Sequence, residues 1–239
     1  VTDLKDVVIE AHGGLGRWKK LTRVSAHLVC GGGLWPLKGQ DGILADVTVL
    51  VDLQRQFASH RPFGEPGLRT AFTANRVAVD REDGSVVEER TDPRASFANH
   101  VVQTPWDRLD VAYFAGYAMW TYLTAPFSFD RPGFRTRELS PWRENGETWR
   151  RLEVEFPEDV ATHCRTQVFY FGDDGLLRRH DYEAEVVKAG PAAHYAFDYK
   201  DVDGIMVPTR RRVYSLSADG SPDFGQLAVS IDLDEIAFA

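Results

Sequence analysis

Arg178, His180 and Tyr182 occupy alternate positions in a segment that otherwise reads as a β-strand. Alternation puts Leu176, Arg178, His180, Tyr182, Ala184 and Val186 on one face of Leu176–Val187, with Leu177, Arg179, Asp181, Glu183, Glu185 and Val187 on the other. The second set is expected in solvent. The first ends in Ala184 and Val186 and is expected to meet the core, where ionisable groups are costly unless paired or wet. That pattern points to the polar end of an interior pocket. Histidine alone titrates near neutrality when unperturbed, so His180 is the candidate general acid or base. Tyr182 would donate to a developing oxyanion, and Arg178 or Arg210 would hold an anionic substrate group. The plainer reading is a histidine hydrogen-bonded to a neighbour near a strand end and chemically inert.

The apolar part of such a pocket would come from rings. Trp106, Tyr113, Tyr117 and Trp120 recur at helical spacing, while Phe114 and Tyr122 lie off that stripe. A helix aromatic on several sides must be covered on several sides, so it is expected against or inside a sheet. Tyr122, and Tyr170, Phe197 and Tyr199 from strands, complete the expected lining. Plain core packing is the competing reading for the helix. Whether Arg210 and Arg212 or Arg211 and Val213 point inward is not decided by periodicity. In Ala193–Lys200, the aromatic positions Tyr195, Phe197 and Tyr199 are expected inward, which sends His194 to the solvent face and separates it from His180.

Other chemistries find no support. There is no Gly-x-Ser-x-Gly elbow, His-Glu-x-x-His pair or dinucleotide fingerprint. Gly31-Gly32-Gly33 lacks the Lys-Ser/Thr of a phosphate loop and reads as a bend or bulge. Cys30 and Cys164 stand alone, and no two histidines have a metal-ligand spacing. No metal or cofactor is expected. The net charge of -8 argues against nucleic acid or an anionic membrane as partner. No apolar run of about 18 residues would span a bilayer. With no basic-then-apolar leader in view, the expected location is cytoplasmic, and removal of a leader ahead of Val1 is left open.

The positioning elements are mainly strands. His163–Phe171, Leu176–Val187, Ala193–Val202, Ile205–Ser217 and Gln226–Phe238 are separated by Gly172-Asp173-Asp174-Gly175, Lys188-Ala189-Gly190-Pro191, Asp203-Gly204 and Ala218-Asp219-Gly220. Asp-Gly between alternating runs marks a hairpin, because glycine takes the positive φ the turn needs. Earlier strands are expected near 24–30, 42–52, 54–59, 68–73, 76–81 and 86–91. Apolar residues from Leu4 to Leu21 give a helix from Thr2, interrupted at Gly13-Gly14. Thr104-Pro105-Trp106-Asp107 reads as a helix start, with the helix running from Pro105 to about Thr124. No linker divides the 239 residues, which read as one domain, and the oligomeric state is open.

Ala11-His12-Gly13-Gly14-Leu15 through Trp18, followed by a strand and a long meander closed by Asp203-Gly204-Ile205-x-x-Pro208, resembles the LolA/LolB lipoprotein-carrier superfamily. The resemblance implies a half-open antiparallel barrel whose concave side is plugged by helices over an apolar cavity. The expected fold is thus mainly β: a strongly curved antiparallel half-barrel of about nine to eleven strands with helices covering its concave face. The same superfamily resembles the fold of a violacein-pathway enzyme that uses neither cofactor nor metal. Two functions follow as expectations. One is binding of a small apolar or aromatic molecule between sheet and helices. The other is a cofactor-independent isomerase, lyase or hydrolase using His180, Tyr182 and Arg178.

Overall fold

The computed structural model describes residues 3–217 and 219–239. The Thr2 start of the first expected helix and Ala218 of the last expected turn lie outside them. Thirteen strands form one antiparallel sheet that is not closed into a barrel. They are β1 (Arg23–Gly31), β2 (Val47–Asp52), β3 (Phe57–Arg61), β4 (Leu68–Thr73), β5 (Arg76–Arg81), β6 (Val86–Thr91), β7 (Arg135–Glu144), β8 (Glu147–Glu155), β9 (Thr166–Phe171), β10 (Leu177–Glu183), β11 (Pro191–Val202), β12 (Ile205–Leu216) and β13 (Pro222–Phe238). The spatial order is β6-β5-β4-β3-β2-β1-β13-β12-β11-β10-β9-β8-β7. Two meanders therefore meet where the first strand pairs with the last. The chain leaves one edge at β6 and re-enters at the other edge as β7, so the connection between them must cross the sheet.

That connection carries the long helix α4 (Arg108–Thr124), numbered after α1 (Leu4–Ala11), α2 (Leu15–Trp18) and α3 (Leu34–Leu37). Asp107, rather than Thr104, caps α4: its side chain accepts from the Asp110 amide while Asp110 accepts from the Asp107 amide. Arg90 on β6 pairs with both carboxylates and pins the helix start to the edge strand. Every residue from Leu109 to Thr124 is buried. The helix lies inside the curve, chiefly over β2 to β5.

Its seat is close. Gly116 has no room for a side chain, since a Cβ there would lie 2.3 Å from Cγ of Phe72 on β4. Alanine favours a helix interior by up to about 1 kcal/mol over glycine. Overpacking a filled core costs about 1–3 kcal/mol, which exceeds that gain. Gly116→Ala is therefore expected to lower the urea midpoint, and an unchanged or raised midpoint would contradict this seating.

The N-terminal segment breaks at Gly13-Gly14, as the sequence indicated, into α1 and α2. Gly13 has φ 126°, and its α-carbon faces the carbonyl of Gly204. The Met206 amide donates to the His12 carbonyl, and Arg17 donates to that of Asp203. The two short motifs that carried the resemblance thus touch each other. They clamp the first helices onto the β11–β12 hairpin.

Candidate functional site

The inner surface of β10 to β12 holds a buried polar cluster. Cross-strand register places His180 of β10 directly opposite His194 of β11, so both project to the same face, with ring centroids 5.9 Å apart. This corrects the sequence assignment of His194 to solvent; it is 0% exposed. The physical reason is that the sheet is buried on both faces here, so aromatic content cannot tell inside from outside. A bulge between Leu177 and Arg179 also resets the alternation. Past Asp198, whose φ is 55°, Tyr199 packs against His12 on the inner side and donates to the Leu177 carbonyl.

Tyr182 stacks on His163 with centroids 3.9 Å apart, and His180 stacks on Phe169 at the same spacing. The Tyr122 hydroxyl lies 2.7 Å from His163 Nε2 and 2.9 Å from the Tyr182 hydroxyl. His180 Nε2 is bonded to Gln167 Oε1 at 2.6 Å. Arg211 of β12 completes the cluster, donating to the Tyr122 carbonyl at 2.8 Å near the C-terminal end of α4. Burial dominates the electrostatics. It holds His163 near 3 and drives His180 and His194 well below the usual histidine value, with Arg211 adding to the depression of the last two. Burial also raises the Tyr122 and Tyr182 hydroxyls. Within this cluster the imidazoles are neutral at pH 7 and feeble bases. Efficient acid–base catalysis wants a value near the working pH, so this arrangement suits hydrogen bonding better than proton transfer.

An apolar cavity of about 310 Å³ opens beside the cluster, between α3, the 184–192 segment and strands β11 to β13. Leu34, Leu37, Phe114, Val187, Val213 and Val229 are among its walls, and Tyr182 stands at its inner end. A narrow extension of about 30 Å³ shares Phe114, Tyr182, Val213 and Val229 and continues past Tyr122 and Trp35 toward Cys30 and His60. Burial pushes the Cys30 thiol up to about 12, which makes it a poor nucleophile.

The expected site residues divide. Tyr182 and Tyr122 line the cavity, and His180 lies behind them. Trp106, Tyr113, Tyr117 and Trp120 are packed core: Tyr113 against Phe72 and Phe97, Tyr117 against His163, and Trp106 against Phe97 and Phe114. The Trp120 indole donates to the carbonyls of Asp52 and Arg55 and so fixes the β2–β3 turn. Arg178 turns away to the β9–β10 hairpin and pairs with Asp174 at 2.6 Å. Tyr170 and Phe197 lie on the outer face, where Arg210 pairs with Asp198 and stacks on Phe197. Arg179, expected in solvent, is 1% exposed on that outer face, bonded to Asp181 and Glu144 under Trp142, Tyr170 and Tyr195. Sequence reading left the facing of Arg211 open, and the structure turns it inward. It missed the apolar walls from α3 and β13. The cluster Leu34-Trp35-Pro36-Leu37 after the glycine run was the available signal. Among the described residues, no group of three His, Cys, Asp or Glu side chains is placed to hold a metal ion, and no helix is long and apolar enough to cross a membrane.

Comparison with known proteins gives similarity at the level of structure. No protein-family model and no curated protein matches the chain. A DUF1329 family protein from Desulfovibrio piger superposes with TM-score 0.53 at 11% identity, covering 98% of this chain and 91% of that one. A LolA superfamily protein from Nitrosomonas europaea gives TM-score 0.51 at 11% identity, covering 92% and 86%. A domain from Vibrio parahaemolyticus described as an outer membrane lipoprotein-sorting protein gives 0.52 at 10%, covering 98% and 90%. Together with the open antiparallel sheet and the helices inside its curve, these matches show that the chain has the LolA-like fold.

Proposed function

We propose that this protein binds a small apolar or aromatic molecule in the cavity between α3 and strands β11 to β13. The observation that carries this reading is the cavity itself: about 310 Å³, walled mainly by aliphatic and aromatic side chains, with Tyr182, Ser215 and Gln226 as the few polar residues in its lining. Cavities of this size with few, placed polar groups are the usual form of a small-molecule site. Solved relatives described as lipoprotein-sorting or LolA superfamily proteins share the fold, which is consistent with an apolar ligand. The catalytic alternative draws less support, because His180 lines neither part of this cavity and burial drives its proton affinity well below that of an ordinary histidine.

Nile red titration is the direct test. Wild-type protein is expected to bind one equivalent with a blue-shifted emission. Ala192 lines the cavity mouth and is half-buried, so Ala192→Trp plugs it with little damage to the core. That variant is expected to lose at least about tenfold in affinity, equivalent to about 1.4 kcal/mol. Equal binding by both proteins, or none by wild type, would remove this site.

A further inference from the structure

Behind the inner extension of the cavity, and outside its lining, lies a buried cation that has no anion. Arg211 is 2% exposed, and among the described residues no carboxylate pairs with it. One nitrogen donates to the Tyr122 carbonyl, another lies 3.4 Å from His194 Nε2, and Nε has no partner at all. An isolated charge in such a place is among the most costly features a fold can carry. Its position relates it to the cavity. Val213, two residues along the same face of β12, and Ile231, its cross-strand partner on β13, both line the narrow inner extension. The Tyr122 ring, which also lines that extension, sits 5.2 Å from the guanidinium carbon.

The neighbouring hydrogen bonds have a direction. His163 Nδ1 is buried without a partner. A bare ring nitrogen is tolerated there more readily than an orphaned N–H, so the bonding pattern assigns the proton to Nε2. His163 then donates to the Tyr122 hydroxyl, Tyr122 donates to Tyr182, and the Tyr182 proton is left free on a residue that lines both parts of the cavity. A donor at the wall and an uncompensated positive charge behind it define an acceptor of negative charge.

We propose that the ligand has an apolar body ending in a single carboxylate, which accepts from the Tyr182 hydroxyl and has Arg211 as its counter-charge. This rests on the apolar-cavity reading above. One guanidinium balances one charge, and a phosphate would leave its second charge unmatched in apolar surroundings.

The test pairs acids with alcohols of the same skeleton: decanoate with decan-1-ol, and 4-phenylbutanoate with 4-phenylbutan-1-ol, titrated by calorimetry at pH 8. Wild type is expected to favour each acid by at least about tenfold, since charge pairing at a desolvated site carries that much discrimination. In Arg211→Met the acid-to-alcohol ratio should fall to near one, while Arg211→Lys, which keeps the charge, should retain most of it. Tyr182→Phe should lower the ratio while leaving a residual preference from Arg211. Equal affinity for acid and alcohol in wild type, with both bound, would overturn the carboxylate subsite and leave the apolar cavity standing. A preference that persists in Arg211→Met would overturn the role of Arg211. Absence of binding by all four probes would overturn the cavity reading together with this one.

Discussion

Lowering the pH from 7 to 5 is expected to remove most of the stability of this protein, and to do so well before its carboxylates titrate. Burial holds His12 and His60 at about 4 and His163 at about 3, and drives His180 and His194 well below their ordinary value. A histidine in the unfolded chain takes its proton near 6.5. Between that value and its folded one, the unfolded state binds more protons, so stability falls as pH falls. The loss begins below about 6.5 and amounts to roughly 2 kcal/mol per histidine by pH 5. His12, His60 and His163 together give roughly 6 kcal/mol on that basis, and His180 and His194 act in the same direction. Whole domains hold only about 5–15 kcal/mol. His27 is raised by Asp46 and Asp234 and opposes the trend, but it is exposed and screened by solvent. Urea denaturation at pH 7.5, 6.5, 5.5 and 5.0 measures the slope directly. A flat profile down to pH 5, with loss only below 4.5, would mean these rings are charged or wet in the native state.

The strands that were legible in sequence share one property. Those from β9 to β13 alternate and are joined by Gly-containing turns, so periodicity and turn chemistry agreed. The hairpin β7–β8 was missed, although Asn145-Gly146 at its turn takes φ 50° and 82° and is a strong hairpin signal. Its strands hide behind charge. Arg137 pairs with Glu153 and Arg150 with Glu138 across the ladder, so the few apolar positions, Leu139 and Trp142 on β7 and Trp149, Leu152 and Val154 on β8, are scattered among charged residues. A pattern search keyed to apolar residues passes over such a strand. The start of α4 was misread for a related reason: Thr104-Pro105 looks like a cap, but the reciprocal Asp107–Asp110 bonds close the box three residues later.

The candidate site was legible in its types and not in its sides. His180 and Tyr182 were picked out as ionisable groups facing the core, and they do face it. What failed was the inference that the other face must be solvated. Trp142, Trp149, Tyr170 and Tyr195 bury part of the outer surface as well, with Arg179 beneath them. Once both faces are apolar, alternation still says which residues share a face but no longer which face is inside. The shift past Asp198, which sends Tyr199 inward while Phe197 stays outward, depends on one left-handed residue that composition does not announce. Arg211 lies in Arg210-Arg211-Arg212, where three identical residues have three fates: Arg210 is paired with Asp198, Arg211 is buried and unpaired, and Arg212 is paired with Asp232.

The same substitution at two equally buried arginines is expected to act with opposite sign. Arg179 bonds Asp181 at 2.6 and 2.9 Å and Glu144 at 2.7 Å, and donates to the Gly220 carbonyl. Asp181 and Glu144 are themselves 16% and 13% exposed, so Arg179→Met leaves two carboxylates facing each other with little water to soften them. Breaking a buried network from one side costs about 3–5 kcal/mol. Arg211→Met strands no carboxylate. It removes a desolvated charge and fills the space with an apolar chain, at the loss of one good hydrogen bond to the Tyr122 carbonyl, worth about 1–3 kcal/mol with its charge. Replacing buried charge by a well-packed hydrophobe is often neutral or stabilising by about 1–4 kcal/mol, so the expected change lies between zero and a gain of about 2 kcal/mol. Because Arg211 also depresses His12, His180 and His194, its removal should move the acid transition to lower pH. Urea midpoints of the two variants at pH 7.5 and 5.5 decide the matter. Strong destabilisation by Arg211→Met would make that residue a structural clamp on the end of α4 and remove the reason to look for an anion beside it.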